Sequence, residues 1–189
     1  SEIAIEGIFS YELAHNLVGG ITAKFINSYI GNYSSMAVGV DLGLNWFEPD
    51  YQWSVSVVAK NLGGQIKAYE ENYGKMPMDV QAGVSKTFVA LPVRLSATLV
   101  DLTHYDYRFI NHLNLGADIL LSDNIWVGGG YNFRRADEIT IGTNEDSSAH
   151  GAGFSVGGGI NLERFKLNLA YGKYHAASSS VLVNLAYSF

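Results

Sequence analysis

Apolar side chains fall on every second position over most of this chain. Ile3, Ile5, Phe9, Tyr11 and Leu13 alternate with Ala4, Glu6, Ser10 and Glu12. After Ala14-His15-Asn16 a second row runs Leu17, Ile21, Ala23 and Phe25, and beyond Gly31-Asn32-Tyr33-Ser34 a third runs Met36, Val38, Val40, Leu42, Leu44 and Trp46. A two-residue period places one face of a β-strand toward apolar surroundings and the other toward polar ones. Eight further segments carry the same pattern: 51–60, 78–85, 93–99, 109–121, 125–134, 152–162, 165–171 and 181–189. The spacing predicts an all-β antiparallel meander of eleven strands.

The connectors add a second regularity. The odd-to-even ones are short: 14–16, 47–50, 89–92, 122–124 and 162–164. The even-to-odd ones at 61–77, 101–108, 135–150 and 173–180 are longer and more polar, with 31–34 as the exception. Outer-membrane β-barrels sort their connections in this way, with short periplasmic turns and long extracellular loops. A soluble β-sandwich has no reason to. The polar rows carry Asp41, Asn45, Lys60, Asp79, Gln81, Arg94, Asp118, Arg134 and Lys166. A sandwich core would pay several kcal/mol for each unpaired charge among them, whereas a wet lumen would not.

The expected fold is therefore an antiparallel transmembrane β-barrel in the cell outer membrane. Its final strand, Val181 to Phe189, alternates and ends on an aromatic residue. Tyr187 and Phe189 read as the signal for membrane assembly, and with Tyr11, Tyr29, Trp46, Tyr51, Trp53, Tyr131 and Tyr171 they form the interfacial girdle. With Phe189 at the periplasmic side, an odd strand count puts Ser1 at the extracellular rim. Single-chain bacterial barrels have even strand numbers. Residues 1–189 are then expected to be the C-terminal portion of one barrel domain, with further strands and a signal peptide upstream.

Composition changes this picture little. The 189 residues carry a formal charge of −6 and 16% charged residues, with 12 Tyr, 9 Phe, 3 Trp, 21 Gly and no Cys. The acidic balance and the lack of a basic stripe argue against a nucleic-acid partner, and the absence of Cys removes disulfides and thiolate metal sites. No apolar run reaches the length of a membrane-spanning helix, about 18 residues.

Candidate chemistry is sparse. Ser122-Asp123-Asn124 matches a motif of penicillin-binding enzymes without its Ser-x-x-Lys and Lys-Thr-Gly companions, and reads as a hairpin turn. The glycine triplets 128–130 and 157–159 precede no helix and do not form a phosphate loop. His104, His112, His150 and His175 have no ligand spacing. No catalytic, cofactor or metal site is expected, and no enzyme.

Several segments resemble a known family. Asn61-Leu62-Gly63-Gly64-Gln65-Ile66-Lys67, Met76 to Lys86, Ala90 to Ser96, Gly130 to Arg135 and Tyr171 to His175 are similar to the PorQ group of type IX secretion system outer-membrane proteins of Bacteroidetes. That group is related to PorV and to the FadL-like fatty-acid transporters, and the likeness spans roughly residues 55–189. The resemblance implies a FadL-like barrel of about fourteen strands, of which about eleven are visible here. It also implies a non-enzymatic component of the cell-surface attachment machinery. Its partners would be outer-membrane lipid, lipopolysaccharide and other secretion-system surface proteins, anchored through loops 61–77, 101–108 and 135–150. Glu70, Glu71, Tyr73, Tyr105, Tyr107, Asp137, Glu138 and Glu145 are the candidate contacts, since tyrosine among charges is a common interface composition. The alternative is a FadL-like transporter of hydrophobic small molecules, against which the polar inward rows count.

Overall fold

A computed structural model describes residues 2–30, 33–68, 73–88, 90–139, 153–175 and 178–188. It contains eleven strands: β1 (Glu2–Ala14), β2 (Leu17–Ile30), β3 (Tyr33–Glu48), β4 (Trp53–Lys67), β5 (Asp79–Phe88), β6 (Val93–Leu99), β7 (Leu113–Ser122), β8 (Ile125–Asn132), β9 (Phe154–Asn161), β10 (Phe165–His175) and β11 (Ser178–Tyr187). Helix is confined to a 3₁₀ turn at Phe109–His112 and one short helix, α1 (Phe133–Ile139). The hydrogen-bonded order of the sheet follows the sequence from β1 to β11. The chain is thus the all-β antiparallel meander that the periodicity predicts.

Residue contacts divide the chain into two units. The first holds β1 to β3, β4 from Ser54, the first half of β5 and residues 100–104. β1, β2 and β3 pair antiparallel, with Ile5 opposite Phe25 and Lys24 opposite Gly39, and the β1–β2 register shifts between Glu12 and Ala14. The second holds residues 51–53, the rest of β5, and everything from β6 through β11 apart from 100–104. There Arg94 stands opposite Asp118, Asp118 opposite Gly128, and Gly157 opposite Ala170.

Burial runs opposite to that of a soluble protein. Among the described residues no large side chain is fully buried, while Phe9, Leu44, Val57, Ile119, Val156 and Leu185 are all well exposed. In β3 the exposed positions are Val38, Leu42, Leu44 and Trp46 together with Tyr33 and Phe47 near its ends, and the more covered ones include Ser35, Gly39, Asp41 and Gly43. Such a large contiguous apolar surface is tolerated only against another apolar medium. The apolar face is the lipid-facing side of an outer-membrane β-barrel wall.

Several predicted boundaries move. β4 does not end at Lys60 but continues to Lys67. Asn61 takes φ +59° and hands its N–H to Asp41 Oδ1 at 2.8 Å, so the strand passes through a local kink instead of stopping. A kink of this kind shifts the two-residue alternation, so the pattern looks as though it has ended. β4 begins at Trp53 and not at Tyr51, because Gln52 adopts φ +54° in the turn. Residues 109–112 are a 3₁₀ turn rather than the start of β7.

The eighth strand stops at Asn132 because that side chain caps α1: its Oδ1 accepts the Arg135 N–H at 2.7 Å. An asparagine oxygen bonded to the third helical N–H is a strong helix start. Arg134 therefore lies in α1 and is not an inward strand position. The predicted loop 173–180 is mostly strand, with Lys173 opposite Ser179. The long connections that remain are 68–78, 100–112 and 133–153.

Candidate functional site

In the second unit, two of the long connections meet. Residues 105–112 and α1 are joined by two contacts, each backed by a contact within its own segment. The Arg134 guanidinium lies 4.2 Å from the Tyr107 ring centre and donates from Nε to Glu138 at 2.8 Å. Asn111 Nδ2 donates to Asp137 Oδ2 at 3.2 Å. His112 packs edge-on to Tyr107 with ring centres 6.1 Å apart, and Asn111 and His112 are both buried. A cation over an aromatic face contributes about 0.5–1 kcal/mol when partly exposed. A carboxylate accepting an amide N–H adds a charge-assisted bond.

Local sequence explains the arrangement. Arg134 and Glu138 sit four residues apart, so they share one face of α1. Gly153, at φ +83°, brings the chain back beneath the helix, and a Cβ there would stand 2.9 Å from Ala136 Cβ. Tyr131 then packs edge-on against Phe133 at 4.8 Å and Phe154 at 4.7 Å. Above this base the side chains of Tyr105 and Phe109 stand out, 91% and 71% exposed.

The first unit carries a different feature at its long connection. Residues 73–78 return along the polar face of β3 and β4. Gln65 exchanges hydrogen bonds with Gly74, and Asn61 Nδ2 donates to the Pro77 carbonyl at 3.0 Å. Met76 lies on Gly39, where a Cβ would come within 2.8 Å of its Sδ. Beneath it, Lys24 Nζ pairs with Asp41 at 2.7 Å and donates to Asn61 Oδ1 at 3.2 Å. Asp101, His104 and Asp79 form a second polar group, in which the Asp101 N–H donates to Asp79 Oδ1 at 2.6 Å.

Of the candidate contacts, Tyr107, Asp137 and Glu138 come together in the loop-and-helix cluster, with Tyr105 exposed two residues away. Tyr73 belongs to the first unit, where it is 66% exposed. Glu70, Glu71, Glu145 and Phe189 lie outside the described residues. Tyr187 packs its ring 4.8 Å from that of Phe165. Sequence reasoning missed Arg134, Asn111 and Asn132. The Asn-x-x-Arg start and the Arg-x-x-x-Glu spacing were the available signals, and both were hidden by reading 125–134 as one strand. Among the described residues no group of three or more His, Asp or Glu is placed to hold a metal ion. No helix among the described residues is long and apolar enough to cross a membrane.

Comparison with known proteins gives this wall and its loops a context. No match to the chain was found among the curated proteins. The family described as "Type IX secretion system membrane protein PorP/SprF" matches residues 7–182, nearly the whole sheet. That match supports the type IX secretion part of the resemblance; the narrower likeness to PorQ, PorV and FadL gains no support from it. The chain belongs to the PorP/SprF family of type IX secretion system outer-membrane proteins.

Proposed function

We propose that this protein is a non-enzymatic β-barrel component of the type IX secretion machinery that anchors surface partner proteins through its long loops. Family membership supports the secretion role. The observation that carries the anchoring role is the lock between Tyr107, Arg134, Glu138, Asp137 and Asn111. It makes one preformed surface from two separate connections, beside the exposed Tyr105 and Phe109. Preformed loops lose less entropy on binding, and exposed aromatics are the residue type that concentrates interface energy.

In this reading the long connections face the cell exterior. Tyr105, Tyr107, Asp137 and Glu138 contribute directly to the contact, and Tyr73, Glu70, Glu71 and Glu145 extend it on the neighbouring loops. Lipid and lipopolysaccharide surround the apolar face, and other secretion-system subunits are the protein partners. Tyr187 and Phe189 serve assembly into the membrane.

The test is affinity purification in mild detergent from cells carrying the wild-type protein or the Tyr105→Ala/Phe109→Ala variant. Wild type should bring down large surface proteins, and the variant should reach the membrane yet lose most of them. Equal recovery by both would remove these loops from the interface. A clean wild-type monomer would remove the anchoring role.

A further inference from the structure

The apolar face of the second unit is not uniformly flat. Trp53, Val84, Phe88, Leu95, Ala97 and Leu115 line a groove of about 430 Å³. It continues past Leu95 and Leu115 into a second hollow of about 560 Å³ whose walls include Tyr131, Phe154 and Val156. The cause is the run of small side chains. Ala97 stands opposite Leu115, and Ala117 opposite Leu95 and Gly129, so the floor drops between larger neighbours.

A cation stands at one end of this furrow. Lys86 belongs to the outward row of β5 with Val84 and Phe88, a row otherwise apolar. Its Nζ lies 4.8 Å from the Trp53 ring centre and 5.8 Å from that of Phe88, and it donates to the Tyr51 carbonyl at 2.9 Å. Among the described residues no carboxylate pairs with it. An ammonium has three donors, so the Tyr51 carbonyl takes one of them. The position is two residues from the end of β5, beside Tyr51 in the turn that leads into β4. That is the depth at which a lysine stem lies along apolar surface while its head reaches the membrane interface.

We propose that this furrow is a site for one glycerophospholipid, with an acyl chain along Leu95, Ala97 and Leu115 and the headgroup phosphate at Lys86. Two features select this occupant. The furrow opens on the lipid-facing side, so an acyl chain fills it without any approach through water. The charge at its end is complementary to a phosphate, and among the described residues no carboxylate of this chain already answers it. The first unit offers a natural comparison: a groove of about 480 Å³ bordered by Phe9, Leu13, Leu42 and Leu44 has no charged residue in its lining. The inference depends on the outer-membrane location alone, so the fate of the loop-anchoring reading leaves it untouched.

Native mass spectrometry of the detergent-purified full chain tests it. Delipidated protein is titrated with phosphatidylglycerol, with diacylglycerol (which lacks the phosphate), or with phosphatidylglycerol plus excess inorganic phosphate. Wild type should retain one phosphatidylglycerol under activation that strips the rest, and Lys86→Arg should behave alike. Lys86→Met should bind about five- to ten-fold more weakly, the scale of one basic residue at an anionic lipid surface. Ala97→Phe, which fills the furrow and leaves the cation, should also release the lipid. Altered mobility of the unheated protein on denaturing gels confirms that each variant is folded. Four outcomes would overturn the proposal: equal retention by Lys86→Met, equal retention of diacylglycerol, displacement by inorganic phosphate, or a dimer covering the furrow.

Discussion

Arg134 stacks 4.2 Å over the ring of Tyr107 and at the same time donates to Glu138 at 2.8 Å, so one guanidinium ties α1 to the loop that precedes β7. Arginine can do both because its planar head is weakly hydrated and holds its donors in a fixed fork, which lysine cannot reproduce.

Replacing Arg134 with Lys should therefore loosen the cluster although the charge is kept. Amide hydrogen exchange over residues 105–112 and 133–139 should quicken several-fold, in keeping with about 1 kcal/mol of lost interaction. Unchanged exchange would mean that Asn111–Asp137 and the helix cap hold the two segments without the stack.

The Lys24–Asp41 pair is nearly closed off from solvent, with side-chain exposures of 12% and 14%. Asp41→Ala removes the counter-charge and also the acceptor of the Asn61 N–H. Removing one partner of such a partly covered, hydrogen-bonded pair costs about 1–3 kcal/mol. The double variant Lys24→Met/Asp41→Leu should recover part of that loss. Urea unfolding in lipid vesicles measures both, and a single variant as stable as wild type would place the pair in free water.

A charge on the apolar face separates a membrane wall from a soluble one. Leu169 is 49% exposed near the middle of β10. Leu169→Arg should cost about 2–4 kcal/mol in folding into bilayers, whereas a half-exposed site facing water would tolerate arginine at little cost. The measurement is the denaturant midpoint in vesicles.

Two glycines give opposite expectations. At Gly159 a Cβ would lie 2.3 Å from Asn168 Oδ1 and 2.4 Å from Trp126 Nε1, so Gly159→Ala must push both side chains away. At Gly7 nothing lies within 4 Å, and Gly7→Ala should fold normally. Overpacking of the first kind costs about 1–3 kcal/mol; the fraction folded at fixed urea reads the difference.

Tyr187 and Phe165 pack their rings at a tilt across β11 and β10 at the short-turn end. Tyr187→Asp puts a charge where an interfacial aromatic belongs. Assembly into the membrane should fall severalfold, measured as the heat-modifiable fraction after refolding, while Tyr187→Phe should assemble normally.

The two-residue alternation determined the number of strands and their apolar and polar faces, and the sorting of short and long connectors added the outer-membrane setting. Those follow because side-chain direction in a strand is a local property. Rows such as Val38, Leu42, Leu44 and Trp46 face one way whatever lies around them. The exceptions needed the tertiary structure. Asn61 keeps β4 running through a left-handed residue only because Asp41, twenty positions earlier, accepts its N–H and Lys24 holds its side chain. Asn132 ends β8 and starts α1, and α1 is then secured by Tyr107 and Asn111 from another loop. The furrow beside Lys86 exists because strand register sets Ala97, Ala117 and Gly129 among larger side chains. Apart from the local Asn132 cap, each of these is a contact between segments far apart in the chain, and none of them is encoded by hydrophobic periodicity.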